Sequence, residues 1–342
     1  MTGTSSTSRL AGLQSLRALA AGMVLVGHVL AEAEHYFGLS LPGDAMPWTR
    51  GVDLFFVISG FVIALSADRF RTQPLAFFKR RLLRVVPLYY VFTTIMVMVL
   101  LILPNAAKDT SLDLGQILSS YGFVPYARED GRIAPVLSLG WTLNYEIFFY
   151  AIFSFCLALS RPRFALTAIL SALVMAGLTF PATATTFVFW TNPLILEFLF
   201  GVGLAKLYQS GWHKPHGGLA VSGLVTGLVM LLLLDATSLP RVMAAGLPAA
   251  LIVASATILC PNRTTPGQLL GDASYALYLS HRFALRAATL LLLPLLPQSH
   301  LGAWIYVAIV TGLAVTLGVL THLLLEKPLM RAVATSPKVV PA

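Results

Sequence analysis

Residues 13–31 read LQSLRALAAGMVLVGHVLA, and this stretch decides the fold of the chain. It consists largely of helix-forming residues and is long enough to cross a bilayer as one helix. Two ionisable residues, Arg17 and His28, interrupt it. At about 100° per residue they return to within about 20° of one helix face, roughly 16 Å apart along the axis.

Charged groups inside a membrane are costly, and they normally face the interior of a bundle or a wet cavity. The alternative is an ordinary span in which Arg17 snorkels to one interface and His28 lies at the other end. The spacing of the two residues leaves both interpretations open.

The composition is that of a multi-pass membrane protein. Of the 342 residues, 57% are hydrophobic and 11% are charged, whereas about a quarter are charged in soluble domains. The formal net charge of +9 indicates Lys and Arg retained on the cytoplasmic side, and no nucleic-acid partner is predicted. Cys156 and Cys260 lie in or at the end of apolar runs, which does not favour a disulfide, metal or redox site.

The chain is predicted to be all-α, a polytopic transmembrane bundle of about ten helices. The connection after the second span is basic and the first connection is acidic, so the positive-inside rule places both termini in the cytoplasm. A membrane domain at 13–331 is expected between disordered tails at 1–12 and 332–342. The predicted spans are residues 13–31, 51–67, 86–104, 141–159, 164–181, 189–208, 217–235, 241–260, 273–295 and 302–325.

Two acidic residues lie in apolar segments. Asp53 opens the second span, in GVDLFFVISG at 51–60. It is either a charge stabilised by the helix dipole or a carboxylate that orients His28. Glu146 lies inside WTLNYEIFFY at 141–150, where we expect a cationic partner such as Arg17, His28 or another bundle cation.

A cluster of cations precedes the third span, in KRRLLRVVP at 79–87. Arg81 and Arg84 are three residues apart and share a helix face next to Arg80. The cluster is either a positive-inside signal in contact with lipid headgroups or a cytoplasmic phosphate clamp. The sequence contains no HExxH metal motif, no GxSxG elbow and no P-loop, and no metal is predicted.

Six motifs in order resemble the acyltransferase-3 family of integral-membrane acyltransferases, and the resemblance covers nearly the whole chain. The stretches LQSLRALAA, RVVPLYY and GWTLNYEIFFY are most similar to exopolysaccharide O-acetyltransferases of Gram-negative bacteria. The six motifs are Arg17 with His28, GVDLFFVISGF at 51–61, Arg81 with Arg84, Trp141 to Glu146, Ser274 to His281, and Glu326-Lys327-Pro328.

The resemblance implies an enzyme of the bacterial inner membrane that transfers an acyl group from cytoplasmic acetyl-CoA to a hydroxyl of an exopolysaccharide or lipid-linked sugar. The implied partners are acyl-CoA, a glycan or lipid-linked oligosaccharide, the lipid bilayer and polysaccharide-assembly proteins. The resemblance implies that His28 is the essential histidine, that Arg17 is its partner, and that Arg81 and Arg84 belong to the acyl-CoA site. From the residues themselves we predict that His28 is a general base supported by Asp53 or Glu146, and that Arg80 joins the acyl-CoA site. The predicted substrate residues are Trp141, Tyr145, Tyr278 and His281.

Two departures from the family pattern matter. We expect no fused esterase-like domain of the kind found in some relatives, and Ser280 replaces the Trp common before the last histidine of its motif. The second departure favours a packing role for His281. A transporter or flippase for an acyl donor or lipid-linked sugar is the alternative function, and a membrane sensor or scaffold is a third.

Overall fold

The apolar runs form α-helices in a computed structural model that describes residues 11–43, 46–103, 113–212, 217–235, 237–259 and 267–334. Within these ranges there is no β-strand, only an isolated bridge between Ala127 and Ile133. The helices are α1 (Ala11–Phe37), α2 (Gly51–Ala67), α3 (Pro74–Ile102), α4 (Leu114–Tyr121), α5 (Trp141–Leu157), α6 (Pro162–Thr179), α7 (Thr185–Trp190), α8 (Leu196–Gln209), α9 (Gly217–Leu234), α10 (Leu247–Leu259), α11 (Gln268–Asp272), α12 (Ser274–Leu292), α13 (His300–Thr321) and α14 (Lys327–Ala334).

The prediction of an all-α, multi-pass membrane bundle is confirmed. Nine helical segments in the described part of the chain are long and apolar enough to cross a bilayer. The remaining predicted span corresponds to α5, whose 17 residues extend about 26 Å, close to the roughly 30 Å hydrocarbon thickness. The nine segments are Gly12–Phe37, Trp48–Phe70, Pro74–Ile102, Pro162–Thr179, Thr185–Gln209, Gly217–Leu234, Val242–Leu259, Ser274–Leu295 and His300–Ala332.

Some predicted boundaries are wrong. The third span was expected to begin at 86, but α3 begins at Pro74 and continues through Pro87 to Ile102. Pro74 occupies the first helical turn, where its missing N–H costs nothing, and the cations excluded by hydropathy are good helix formers. The predicted tails at 1–12 and 332–342 lie mostly outside the described residues, but 11–12 and 332–334 are helical.

The helices divide into two compact units. Unit 1 contains residues up to 31, 40–65 and 197–274, and unit 2 contains 32–39, 66–196 and 275 onward. Unit 1 therefore holds most of α1 and α2 together with α8 to α11. Unit 2 holds α3 to α7 and nearly all of α12 to α14.

Small residues allow the helices of unit 1 to approach closely. Gly51 of α2 lies against the backbone of Ala20 in α1, and Gly201 of α8 lies against the backbone of Val57 and Phe61 in α2. Packing through small residues is how membrane helices gain van der Waals contact in the absence of a hydrophobic driving force.

Aromatic packing holds α3 and α5 together in unit 2. Phe77 and Phe153 are buried, with ring centroids 5.6 Å apart. The Ser154 hydroxyl donates a hydrogen bond to the Pro74 carbonyl at 2.8 Å, and Gly140 lies against the ring of Tyr89. These contacts place the cations of α3 beside α5.

The connection between α3 and α5 contains its own helix, α4. Asp113 caps α4 by accepting a hydrogen bond from the Gln116 N–H at 2.6 Å. The hydrogen bond from Tyr126, followed by that from Gln116, lowers the pKa of the Asp113 carboxyl. Because the pKa of Asp113 is lower in the folded protein, these hydrogen bonds stabilise the folded state above the ordinary carboxyl pKa. The stabilisation is lost as the pH falls through the pKa of the folded state.

Two π turns each end two residues before a proline. They span Val242–Gly246 before Pro248 and His322–Glu326 before Pro328. A proline removes one i→i−4 hydrogen bond and crowds the preceding turn, and a π turn widens the helix at that point. Both helices therefore continue past the proline.

We predict that alanine changes the free energy of unfolding differently at two glycines of α8. A Cβ at Gly201 would collide with the α2 backbone, whereas a Cβ at Gly203 meets nothing within 4 Å. Gly201→Ala should lower the free energy of unfolding by about 1–3 kcal/mol through overpacking, and Gly203→Ala should leave it unchanged or raise it. Thermal unfolding of the purified protein in detergent measures both changes, and equal destabilisation by the two variants would contradict this packing.

Candidate active site

Arg17 and His28 lie on one continuous helix, α1, in unit 1. The Arg17 Nε donates a hydrogen bond to the Ser274 hydroxyl at 3.2 Å, and His28 is half-buried. The neighbouring Gly27 lies directly against Trp48, whose indole N–H donates to the Gly43 carbonyl at 2.7 Å. The helical turn that carries His28 is thus packed against the residues that lead into α2.

Asp53 is fully buried and is paired with Arg241. The Arg241 Nε and Nη2 donate to the two Asp53 carboxylate oxygens at 2.9 and 2.8 Å, a bidentate geometry that arginine favours. The structure therefore gives Asp53 a partner that the sequence analysis did not identify. A role of Asp53 in orienting His28 stays a prediction.

Glu197 adds a second buried carboxylate to this part of unit 1. Its side chain is 0% exposed, lies against Gly246 of the first π turn, and interacts electrostatically with Asp53, Arg241 and Arg50. Arg50 also forms an ion pair with Asp235 at 2.5 Å. Cations and carboxylates from α2 and the turn before it, from α8 and from Arg241 directly before the first π turn therefore meet in one cluster.

The predicted acyl-CoA residues lie on α3 in unit 2. Arg81 Nη2 donates to the Ser66 hydroxyl at 2.5 Å, and its guanidinium lies 5.4 Å from the centre of the Phe77 ring. Arg80 lies over Phe70 at 5.8 Å and is exposed, whereas Arg81 and Arg84 are half-buried. The structure brings these cations together on the first turns of the helix.

Glu146 lies near Arg81 in unit 2. It accepts a short hydrogen bond from the Tyr150 hydroxyl, and its charge interacts with that of Arg81. Tyr275, whose hydroxyl donates to the Val85 carbonyl at 2.7 Å, interacts electrostatically with both Glu146 and Glu326. Arg81 is thus a cation of the kind expected to accompany Glu146.

The four predicted substrate residues are held by contacts inside unit 2. The Tyr145 hydroxyl donates to the Phe189 carbonyl at 2.9 Å, and Trp141 packs edge-on against Tyr145. The Tyr278 hydroxyl lies 3.0 Å from both the Thr142 hydroxyl and the Leu139 carbonyl. His281 is 1% exposed, and its Nδ1 lies 3.1 Å from the Leu277 carbonyl of its own helix. Substrate contact by these residues stays a prediction.

A buried histidine–carboxylate pair was missed by sequence reasoning. In the second π turn, His322 Nδ1 lies 2.6 Å from Glu326 Oε2, with the side chains 7% and 5% exposed. The available signal in the sequence was a histidine four residues before a glutamate at the end of the last apolar span. Residues at this spacing meet on one helix face.

Potential metal ligands do not cluster in the part of the chain that the structure describes, where no three His, Cys, Asp or Glu side chains come together. The free cysteine in that part, Cys156, is buried in α5.

A multi-pass helix bundle with paired charges inside its apolar segments defines a membrane protein with a polar site held within its helices. Residues 10–323 match the acyltransferase domain model of the acyltransferase-3 family, and the chain belongs to that family. It is an acyltransferase.

The chain is 33% identical to the exopolysaccharide production protein ExoZ of Rhizobium meliloti, covering 89% of this chain and 94% of that protein. It is 26% identical to the acyltransferase MdmB of Streptomyces mycarofaciens, covering 96% of this chain and 95% of that protein. No solved structure matches the chain.

We predict that Arg241→Gln destabilises the protein, because it leaves the buried Asp53 carboxylate beside Glu197 without its bidentate partner. Loss of one member of a fully buried pair typically costs about 3–5 kcal/mol, and because the Arg241 side chain is 35% exposed, solvent screening should reduce the loss to roughly 1–3 kcal/mol. Asp53→Asn combined with Arg241→Gln should recover part of this loss. Thermal unfolding of the single and double variants measures the coupling, and strictly additive effects would contradict the pairing.

Proposed function

We propose that the protein transfers an acyl group, most simply acetyl, from cytoplasmic acyl-CoA to a hydroxyl of an exopolysaccharide or lipid-linked sugar in the bacterial inner membrane. Membership of the acyltransferase-3 family supports acyl transfer. The name of the relative ExoZ, an exopolysaccharide production protein, supports the class of acceptor. The structural observation that carries the proposal is that α1 bears both His28 and Arg17, with Arg17 bonded to Ser274.

His28 acts as the general base. Its imidazole accepts the proton of the sugar hydroxyl while the hydroxyl oxygen attacks the thioester carbonyl carbon. The carbon–sulfur bond breaks, and the departing thiolate takes the proton back from the imidazolium. The products are the sugar ester and the free CoA thiol, and the step as written consumes no oxidant and uses no metal.

Two charged residues of unit 1 support His28 in this proposal. Arg17, on the same helix face but roughly 16 Å from His28 along the axis, contributes a positive potential that attracts the anionic acyl donor. Asp53 orients the imidazole and stabilises its protonated form. The bidentate bond from Arg241 holds the Asp53 carboxylate in one orientation.

The cations of α3 bind the phosphates of the acyl donor. Guanidinium groups bind phosphate oxygens bidentately, and Arg80, Arg81 and Arg84 lie together on the first turns of α3. Glu146, hydrogen-bonded by Tyr150, balances the charge of Arg81. Trp141, Tyr145, Tyr278 and His281 are proposed to contact the substrate, and polysaccharide-assembly proteins are proposed to supply it.

We predict that acyl esters on the polysaccharide depend on His28. The gene is deleted and complemented with wild type, His28→Ala or His35→Ala, where His35 is an exposed histidine of the same helix. Proton NMR and mass spectrometry of secreted polysaccharide and lipid-linked intermediates measure the esters. Esters should disappear on deletion, return with wild type and His35→Ala, and fall at least about 100-fold with His28→Ala because general-base catalysis is lost.

Two outcomes would contradict the proposal. Wild-type ester levels with His28→Ala, at equal protein abundance, would exclude His28 as the base. Unchanged ester levels in the deletion strain, with altered distribution of a lipid-linked sugar across the membrane, would favour the transporter or flippase alternative.

A further inference from the structure

A cavity of about 240 Å³ lies in unit 2 between the connections that join α2 to α3 and α5 to α6. Three arginines line it, Arg71, Arg161 and Arg163, together with Asp68 and Phe164. It lies outside the Arg80, Arg81 and Arg84 cluster, and the proposed chemistry assigns it no role.

The cavity is positively charged, and one hydrogen bond joins its two sides. Arg71 Nη2 donates to the Ser160 carbonyl at 2.7 Å, which ties the two connections together. Arg163 lies 3.5 Å from the Asp68 carboxylate, whose side chain is 67% exposed. The lining thus contains three guanidinium groups and one carboxylate, which leaves an excess of positive charge.

The N-terminus of α6 adds to this positive potential. The helix has 18 residues and begins at Pro162, directly after its N-cap residue Arg161. The partial positive charge of a helix N-terminus and its unpaired N–H groups favour a phosphate.

Phe164 supplies a flat apolar surface at the same cavity. Its side chain is 73% exposed although the residue lies in the first turn of α6. An exposed aromatic ring beside cations suits a purine base, which stacks on it. A lipid headgroup shares the phosphate but has no such ring.

Side-chain contacts connect the lining of the cavity to Arg81. A smaller cavity of about 20 Å³ shares Asp68, Arg71 and Arg163 with it and reaches Phe153. Phe153 packs against Phe77, over which the Arg81 guanidinium lies.

We propose that this cavity binds the 3′-phosphorylated adenosine end of acyl-CoA. This inference rests on the proposed function, because it takes acyl-CoA as the donor. The volume is below the roughly 300–1,000 Å³ of sites that enclose a whole small molecule, so the cavity takes one end of a long ligand. Arg71 and Arg161 bind the 3′-phosphate, Phe164 stacks with adenine, and the remaining phosphates extend toward Arg81.

The test compares CoA with dephospho-CoA, which lacks the 3′-phosphate, by titration calorimetry on the purified protein in phosphatidylcholine nanodiscs. Wild type should bind CoA at least about 10-fold more tightly, as expected for hydrogen bonds to a charged group. Arg71→Gln with Arg161→Gln should reduce CoA affinity to that of dephospho-CoA and leave dephospho-CoA affinity unchanged. Arg69→Gln, an exposed cation of the same connection that does not line the cavity, should retain the preference.

A second pair of variants tests the base. Phe164→Leu should weaken CoA and dephospho-CoA binding to a similar extent, several-fold, because stacking with adenine is lost. Phe180→Leu, at the other end of α6 and 66% exposed, should change neither affinity.

The outcomes separate this inference from the proposed function. Equal affinity of wild type for CoA and dephospho-CoA overturns the adenosine site and leaves acyl-CoA as the donor. No binding of CoA by wild type overturns both. A double variant that keeps the CoA preference but loses phosphatidylglycerol, measured by native mass spectrometry from mixed-lipid nanodiscs, assigns the cavity to a lipid headgroup and overturns the inference.

Discussion

An ionised side chain inside an apolar bundle is costly unless it is paired, and paired polar groups occur in both units. In unit 1 the Arg17 side chain is bonded to Ser274, and Asp53 is bonded to Arg241. In unit 2 His322 is paired with Glu326. Each pair joins polar groups within segments that are otherwise almost entirely apolar. The same hydrogen bonds and ion pairs that reduce the cost of these polar residues in a membrane therefore also fix their positions.

Small residues are the second feature that positions the helices, because they allow close packing. Gly51 and Gly201 lie against the backbone of a neighbouring helix, and Gly27 lies against the Trp48 side chain. Such close contacts restrict how the helices that carry the charges can slide and rotate. The position of the His28 turn depends on Gly27 meeting Trp48. The first π turn has a related effect, because it places Gly246 against Glu197.

Hydropathy and charge asymmetry were sufficient to predict the helical class and nearly every span. They failed at the start of α3, because a hydropathy window excludes the cations of 79–84 although these residues are good helix formers. Partners distant in sequence were not predictable either. Nothing near Asp53 in the chain indicates Arg241, which is brought to it only by the packing of α2 against the residues that begin the first π turn. The His322–Glu326 pair is local and its spacing was readable, but a single pair at i,i+4 is common in helices and indicates no function by itself.

The central claim is that His28 carries a proton from an acceptor hydroxyl to the CoA thiolate in one acyl-transfer reaction. The most direct measurement is thiol release from acetyl-CoA by the purified protein in proteoliposomes, together with ester formation on the isolated polysaccharide or its lipid-linked precursor. We predict acceptor-dependent release of one thiol for each ester formed, with both reduced together by His28→Gln. Thiol release without ester, or acceptor-dependent turnover by His28→Gln at the wild-type rate, would contradict the claim.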